Sequence, residues 1–347
     1  MSETVSRRGG DQQPPDGTGL WSAHGVLLLL LVGLLATMLP GLVEARPRHD
    51  RTDRPQRHRD PGAEVVGGRP IPPGSFRYVT SITIDVGDGF VVTCGGTLIA
   101  PRFVVTAAHC TDNDDGTLRR PEQYELVIGQ VSRRNPPAAN VFGVSAVTVH
   151  PDWDTTRGEG TDVAVLTLDA DVPAEIAKPV ALIGSGDFQY ERAGQLAFVF
   201  GWGRTSGNGP SSEVLLSAPV TIATDQACAK AFSSSSYVPA TYLCASRPTA
   251  ASCNGDSGGP LLIAPTTSSA ARTGRAHHPR DQAVHAARKH RHPQPPPPLP
   301  LPPLPPRPIL VGVVSFGKPG CPTGTPEAYT QLSAPPIRSF IASVTGQ

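Results

Sequence analysis

Cys253-Asn254-Gly255-Asp256-Ser257-Gly258-Gly259-Pro260 sets one serine between an aspartate and a pair of glycines, with a cysteine four residues before it and a proline three after. Glycine on both sides permits a tight backbone turn and leaves only small groups around the hydroxyl. The consecutive N–H groups from Gly255 to Ser257 are able to converge on one point, an arrangement suited to a developing oxyanion. Most Gly/Ser/Asp runs are plain surface turns. What separates the two readings is whether a base and an orienting acid occur elsewhere in workable contexts.

After residue 64, and outside the segment Ala264–Pro308, the chain has two histidines, His109 and His150. His109 follows an apolar run in Thr106-Ala107-Ala108-His109-Cys110, where small neighbours leave room for another segment to approach the ring. His150, in Val149-His150-Pro151 at the end of a strand, reads as structural or exposed. A catalytic histidine needs a carboxylate to fix its tautomer and stabilise its cation. Asp162 directly precedes the apolar run Val163-Ala164-Val165-Leu166, and a carboxylate entering such a strand is costly unless an internal partner meets it. Taken alone, Asp162 reads more readily as an ordinary strand-capping aspartate.

With 347 residues the chain holds two domains or one large one, and a net charge of +1 gives no reason to expect nucleic acid as a partner. Aromatics make up 5% while Pro and Gly number 39 and 36, a composition of turns and short strands. The pattern predicts strands at Tyr78–Ile84, Phe90–Cys94, Phe103–Ala107, Tyr124–Ile128, Val141–Val149, Val163–Leu168, Leu196–Phe200, Val214–Ile222 and Leu310–Phe316. Strands this short, separated by turns, indicate an all-β fold of antiparallel barrels or sandwiches. One helix is predicted, at the C-terminus, where Ile337, Phe340, Ile341 and Val344 form a packing stripe after Pro335-Pro336.

Gly25 to Val43 is almost wholly apolar and is followed by Val43-Glu44-Ala45, so residues 1–45 read as a secretory signal. An uncleaved signal-anchor is the alternative, since about 19 apolar residues just span a bilayer. Either way the remainder leaves the cytosol, and the protein is expected to be secreted or to face the lumen or exterior. All six cysteines (94, 110, 228, 244, 253, 321) lie in that exported part, where disulfides persist, and their spacing alone leaves fifteen pairings open. No Cys-x-x-Cys pair occurs, so no zinc site is expected. Residues 46–64, with six Arg, four acidic residues and three Pro, read as a disordered linker or propeptide. Residues 264–308 carry five His, six Arg and one Lys against one Asp, and end in repeated Pro-Pro-Leu steps. They are expected to form a solvated loop with polyproline character, either an interaction arm or an insertion of no function, the latter favoured.

Thr-Ala-Ala-His109-Cys, Thr-Asp162-Val-Ala-Val-Leu and Gly-Asp-Ser257-Gly-Gly-Pro, in that order, resemble the trypsin/chymotrypsin family of serine endopeptidases. Val65-Val66-Gly67-Gly68, Gly201-Trp202-Gly203, Val314-Ser315-Phe316-Gly317 and Pro326-Glu327-Ala328-Tyr329-Thr330 add to the likeness, which covers Val65 to Gln347 apart from the insert. The resemblance implies two packed antiparallel β-barrels, about 65–175 and 176–347, with the active site between them and a short C-terminal helix. It implies Ser257 as nucleophile, His109 as general base and then acid, Asp162 as the buried orienter, and N–H groups of Gly255 and Ser257 as oxyanion hole. Disulfides Cys94–Cys110, Cys228–Cys244 and Cys253–Cys321 follow from the same likeness. So does pairing of the substrate backbone with Ser315 to Gly317. Protein or peptide substrates and protein inhibitors are the implied partners of a monomer without cofactor or metal. The loop Gly129 to Ser145 contains no acidic residue, so a calcium loop is not expected.

Activation is implied as well. Cleavage after Glu64 frees the Val65 amino group to pair with Asp256, and with no basic residue just before Val65 a trypsin-like activator is not supported. The position that counts as the pocket base is Ala251, beside Ser252, where an aspartate would select Lys or Arg; Phe316 stands where Trp is common. Glu327 replaces the usual Gly on the pocket wall. The pair resembles that of cathepsin G, which accepts aromatic and basic residues, so cleavage after Phe, Tyr or Leu with Lys/Arg tolerated is expected. A catalytically silent binding protein using the basic, Pro-rich arm is the alternative; all three catalytic residues being present argues against it.

Overall fold

The computed structural model describes residues 65–347 except 88–89, 114, 156–159, 233–236 and 265–306. The signal segment, the propeptide with Glu64, and nearly all of the insert lie outside the described residues. Among the described residues no helix is long and apolar enough to cross a membrane.

A short β1 (Arg69–Pro70) precedes the first sheet, which is built from β2 (Val79–Gly87), β3 (Phe90–Ala100), β4 (Phe103–Thr106), β5 (Tyr124–Ile128), β6 (Val141–Phe142), β7 (Val144–Val149) and β8 (Ala164–Leu168). Its order is β6-β5-β2-β3-β4-β8-β7, antiparallel throughout. Gly143 alone separates the two end strands, so the chain itself brings the sheet round into a barrel. The second sheet contains β9 (Ala181–Leu182), β10 (Leu196–Gly201), β11 (Leu216–Ile222), β12 (Tyr242–Ser246), β13 (Pro260–Ile263), β14 (Ile309–Phe316) and β15 (Glu327–Gln331). Here β11, β10, β13, β14, β15 and β12 follow in order, and a β11–β12 pairing closes the ring. Closure removes the exposed edges that make open sheets prone to association. The predicted all-β architecture of two barrels is the one observed.

Most strands fall where the β-branched and aromatic runs predict them. The run Val141–Val149 is divided at Gly143, and β2 and β3 extend further than predicted. β1, β9, β12, β13 and β15 have no counterpart among the predicted strands; in β12 and β15 the runs Tyr-Leu-Cys-Ala-Ser and Glu-Ala-Tyr-Thr-Gln have neither clean alternation nor a β-branched run. Inside the barrels Ile82, Leu98, Val104, Leu126, Leu166, Phe200, Leu261 and Val313 are fully buried. Burying each such side chain contributes about 1.5–3 kcal/mol relative to exposure.

The C-terminal helix α2 (Pro335–Thr345) begins with Pro, where its missing N–H costs nothing, and ends at Gly346 in the left-handed region at φ 72°. Ile337, Phe340 and Ile341 are buried and Val344 is partly so, as the stripe predicts. Contrary to the expectation of a single helix, a second one, α1 (Asp225–Ala231), is present. Its seven residues are too few to show a periodic stripe; the signal is the N-cap, Thr224, whose hydroxyl accepts from the Ala227 N–H at 3.2 Å.

The two ends of the domain are exchanged between barrels. β1 pairs with β11 of the second sheet, whereas Phe340 of α2 packs edge-on to His150, just after β7, with ring centroids 5.0 Å apart. The barrels approach closely where Gly95 of β3 faces Gly259: a Cβ at Gly95 would lie 2.7 Å from the Gly259 Cα. That contact is what carries the serine loop to the histidine.

Candidate active site

β4 runs into a 3-10 turn, Ala108–Thr111, which holds His109. The Cys94–Cys110 disulfide, with Cα atoms 6.4 Å apart, ties this turn to β3, and the Thr111 hydroxyl donates to the Ala108 carbonyl at 2.6 Å. Asp162 stands just before β8, and the β4–β8 register sets Thr106 opposite Ala164. Strand pairing thus brings together a histidine and an aspartate 53 positions apart.

The Asp162 carboxylate is 2% exposed and fully engaged. One oxygen accepts the His109 backbone N–H at 2.9 Å; the other accepts from His109 Nδ1 at 2.8 Å and from the Ser315 hydroxyl. Thr330 Oγ1 also donates to the Asp162 carbonyl at 2.6 Å. An unpaired buried carboxylate would cost several kcal/mol, and these donors remove most of that cost. Because a carboxylate only accepts, Nδ1 carries the ring proton and Nε2 is left as the basic nitrogen. Burial pulls the His109 pKa down, but the charge and hydrogen bond of Asp162 outweigh it and hold it above its ordinary value. Burial likewise pushes Asp162 up, yet the His109 charge, with hydrogen bonds from His109 and Ser315, holds it below the usual carboxylate range.

Ser257 lies on a loop that only glycine permits. A Cβ on Gly258, at φ 79°, would lie 2.2 Å from Thr106 Oγ1 and 2.4 Å from the Gly95 carbonyl. The loop is pinned by Gly95 N–H to the Ser257 carbonyl at 2.7 Å, Gly258 N–H to Val314 at 2.8 Å, and Val314 N–H to Gly259 at 2.9 Å. His109, with 34% of its side chain exposed, and Ser257 line one cleft of about 430 Å³. Gly255, also lining it, adopts φ 96°. The N–H groups of Asp256 and Gly258 have backbone acceptors, whereas those of Gly255 and Ser257 have none among the described residues.

Asp256 is fully buried next to the serine. Its oxygens accept N–H groups of Gly203 and Cys253, each at 2.8 Å. Burial pushes its pKa up to about 7, with those bonds and the Arg133 charge offsetting part of the shift. A Cβ on Gly201 would fall 2.0 Å from Asp256 Oδ1, so Gly-Trp-Gly is the wall of this carboxylate's chamber. Val65 is buried as well, at φ 50°, and its neighbour Val66 bridges Ala251.

Ser252, Ser315, Phe316, Gly317 and Glu327 also line the cleft. Ala251 does not line it; its side chain is buried and its N–H donates to Val66 at 3.0 Å. Glu327, 4% exposed on β15, accepts the Ser252 N–H at 2.9 Å and the Tyr329 hydroxyl at 3.1 Å. Burial pushes its carboxyl up to about 7 against those bonds. Phe316 is braced edge-on by Phe232 and Tyr242, at 5.1 and 5.3 Å. Cys253–Cys321 joins the serine loop to the segment after β14, and Cys228–Cys244 anchors α1 to β12. Donor atoms of Cys94, His109 and Cys110 lie within 4.8 Å of one another, but the sulfurs are joined in a disulfide, so no thiolate is left to hold a metal. His150 is a buried structural histidine, its Nδ1 accepting the Asp152 N–H at 3.2 Å.

Two features of the site have no signature in the sequence. Ser315 reaches Asp162 across 153 positions, and Arg119, on the polar loop after His109, lines the cleft.

A histidine–carboxylate pair beside a serine in a cleft is the equipment of a serine hydrolase, here set among two antiparallel barrels. The family described as Trypsin matches residues 65–270. The proclotting enzyme of Tachypleus tridentatus is 27% identical over 309 residues, covering 84% of this chain and 72% of that protein. A trypsin of Saccharopolyspora erythraea is 34% identical over 204 residues (57% and 82%). The human chymotrypsin-like elastase family member 3B is 31% identical over 206 residues (58% and 73%). The chain belongs to the trypsin family. It is a serine endopeptidase, a hydrolase whose substrates are proteins.

Proposed function

We propose that the protein is a secreted zymogen whose catalytic triad is Ser257, His109 and Asp162. The observation that carries this reading is the doubly hydrogen-bonded His109–Asp162 pair at the rim of the cleft that Ser257 also lines. In the reaction sequence shared by the family, His109 Nε2 takes the Ser257 proton as the hydroxyl oxygen attacks the substrate carbonyl. The resulting oxyanion is met by the free N–H groups of Gly255 and Ser257. His109 then gives its proton to the departing amine, and a water activated by the same nitrogen releases the acyl group from Ser257. Asp162 keeps Nδ1 protonated and stabilises the imidazolium; Ser315 holds the carboxylate in place.

Activation is cleavage between Glu64 and Val65. Two observations support it. The Asp256 carboxylate is buried with backbone donors only, so a new ammonium group would find a waiting partner. The β-branched Val65 sits at φ 50°, a backbone state costing of order 1–3 kcal/mol that the freed terminus need not keep. Cleavage after Phe, Tyr or Leu, with Lys and Arg tolerated, is assigned to the Phe316, Gly317 and Glu327 walls, and substrate pairing to the β14 edge at Ser315 to Gly317. The six paired cysteines and the apolar segment near the N-terminus support export; a monomer controlled by protein inhibitors rests on the family likeness alone. The test is labelling by a fluorophosphonate probe after removal of residues 1–64. Labelling of the wild type and none of Ser257→Ala is the expected result; no labelling of a folded, correctly cut chain overturns the reading.

A further inference from the structure

Among the described residues the cleft is lined by a cation, Arg119, whose side chain has no hydrogen-bond or ion-pair partner. Arg119 lines the cleft beside Val92, Thr93 and the Cys94–Cys110 bridge. The residue is half-buried, and its Nε is shut off from solvent with no hydrogen-bond partner among the described residues. Leaving a buried donor unmet costs about 1–3 kcal/mol. Asp112 is close enough for the two charges to be felt, but its Oδ2 is taken by Trp153 Nε1 at 2.8 Å and no ion pair joins it to Arg119. Arg119 springs from a braced base: its own N–H donates to Thr111 at 2.8 Å, Asp112 bridges Leu118, and Asn113 N–H donates to Thr117 at 2.8 Å. The guanidinium is therefore presented by the same rigid turn that holds His109.

The direction of the substrate gives this cation a role. If the residues before the scissile bond lie along the β14 edge, with one side chain near Glu327, the chain after the bond must leave on the other side of Ser257. That path crosses the Cys94–Cys110 bridge, past Val92, which is 40% exposed, and Arg119. Lys318, the cleft's other cation, follows Gly317 and so faces the opposite half of the substrate. A guanidinium offers two parallel N–H donors that match a carboxylate, with a geometry an ammonium lacks.

We propose that Arg119 selects substrates with an acidic side chain at the first or second position after the scissile bond, binding its carboxylate through two parallel N–H groups at the terminal edge of the guanidinium. The inference rests on the triad reading. It is tested with internally quenched peptides identical before the bond and carrying Asp, Glu, Ala or Lys at those two positions, cut by the full chain after activation at Glu64. The wild type is expected to favour Asp or Glu over Lys by roughly five- to tenfold in kcat/KM, the scale of a half-buried ion pair. The ratio should fall towards one in Arg119→Ala and invert in Arg119→Glu. The same ratio in Arg119→Ala as in the wild type, or no acid preference in an active wild type, overturns the proposal. Failure of the triad reading shows separately, as absent fluorophosphonate labelling. In that event the affinities of activated Ser257→Ala for the Asp and Lys peptides, which need no turnover, decide: equal affinities overturn the role of Arg119, and a preference for Asp that Arg119→Ala removes supports it.

Discussion

If Glu327 lines the specificity pocket as proposed, the choice between aromatic and basic substrate residues should depend on pH. Its carboxyl is 4% exposed and is pushed up to about 7 by burial, while Ser252 and Tyr329 supply its hydrogen bonds. Only the ionised form attracts a Lys or Arg side chain; the neutral form suits Phe or Tyr. With a pKa of about 7, roughly one carboxyl in eleven is ionised at pH 6 and ten in eleven at pH 8. The ratio of kcat/KM for a lysyl peptide to that for a matched phenylalanyl peptide should therefore rise about tenfold across that interval. Taking the ratio removes the titration of His109, which both substrates share. Glu327→Gln keeps the side-chain shape and should give a flat ratio at the low-pH level, and Glu327→Gly should abolish the basic preference too. A flat wild-type ratio between pH 6 and 8 refutes the reasoning, as does a slope that survives in Glu327→Gln.

On the proposed activation pairing, Asp256 should make the stability of cut and uncut chains respond oppositely to pH. In the uncut chain its carboxyl is raised from 3.8 to about 7, so its contribution is present below the ordinary carboxylate range and is lost as pH rises through 7, by up to about 4 kcal/mol. A Val65 ammonium partner should reverse that trend, and parallel pH profiles of urea unfolding for the two forms would refute the pairing. Replacing Cys94 and Cys110 by Ser opens a loop of separation 16, which should cost about 3 kcal/mol in urea unfolding and lower turnover by loosening the His109 turn. Replacing residues 265–306 by a short turn should leave kcat/KM within about twofold, since the closure entropy of a loop between already paired strands changes only logarithmically with its length. Ile263 and Ile309 are already paired at the point where the insert departs and returns. A larger loss would assign the insert a part in catalysis.

Much of the site is legible in the sequence because its chemistry needs fixed neighbours. Gly258 and Gly259 are required by clashes of 2.2 to 2.8 Å that any Cβ would make with Thr106, Gly95, Phe200 and Asp256, so the Ser-Gly-Gly run records a packing constraint as well as an activity. The short strands are legible because β-branched residues alternate with turns. The helix α1 and the strands β12 and β15 are not, since a seven-residue helix shows no period and mixed polar strands are made by their neighbours. Long-range partnerships are beyond a linear reading. Ser315 on Asp162, Ser252 and Tyr329 on Glu327, and Arg119 in the cleft depend on how two barrels close. Residue identity, through backbone propensity and the steric demands of glycine, determined that this chain forms short antiparallel strands with a serine on a tight loop; two barrels were implied by the family likeness. Only tertiary structure decided which carboxylates are buried with donors, which lie without a counter-charge, and which cation faces the cleft, because burial and the electric field are properties of the folded surroundings.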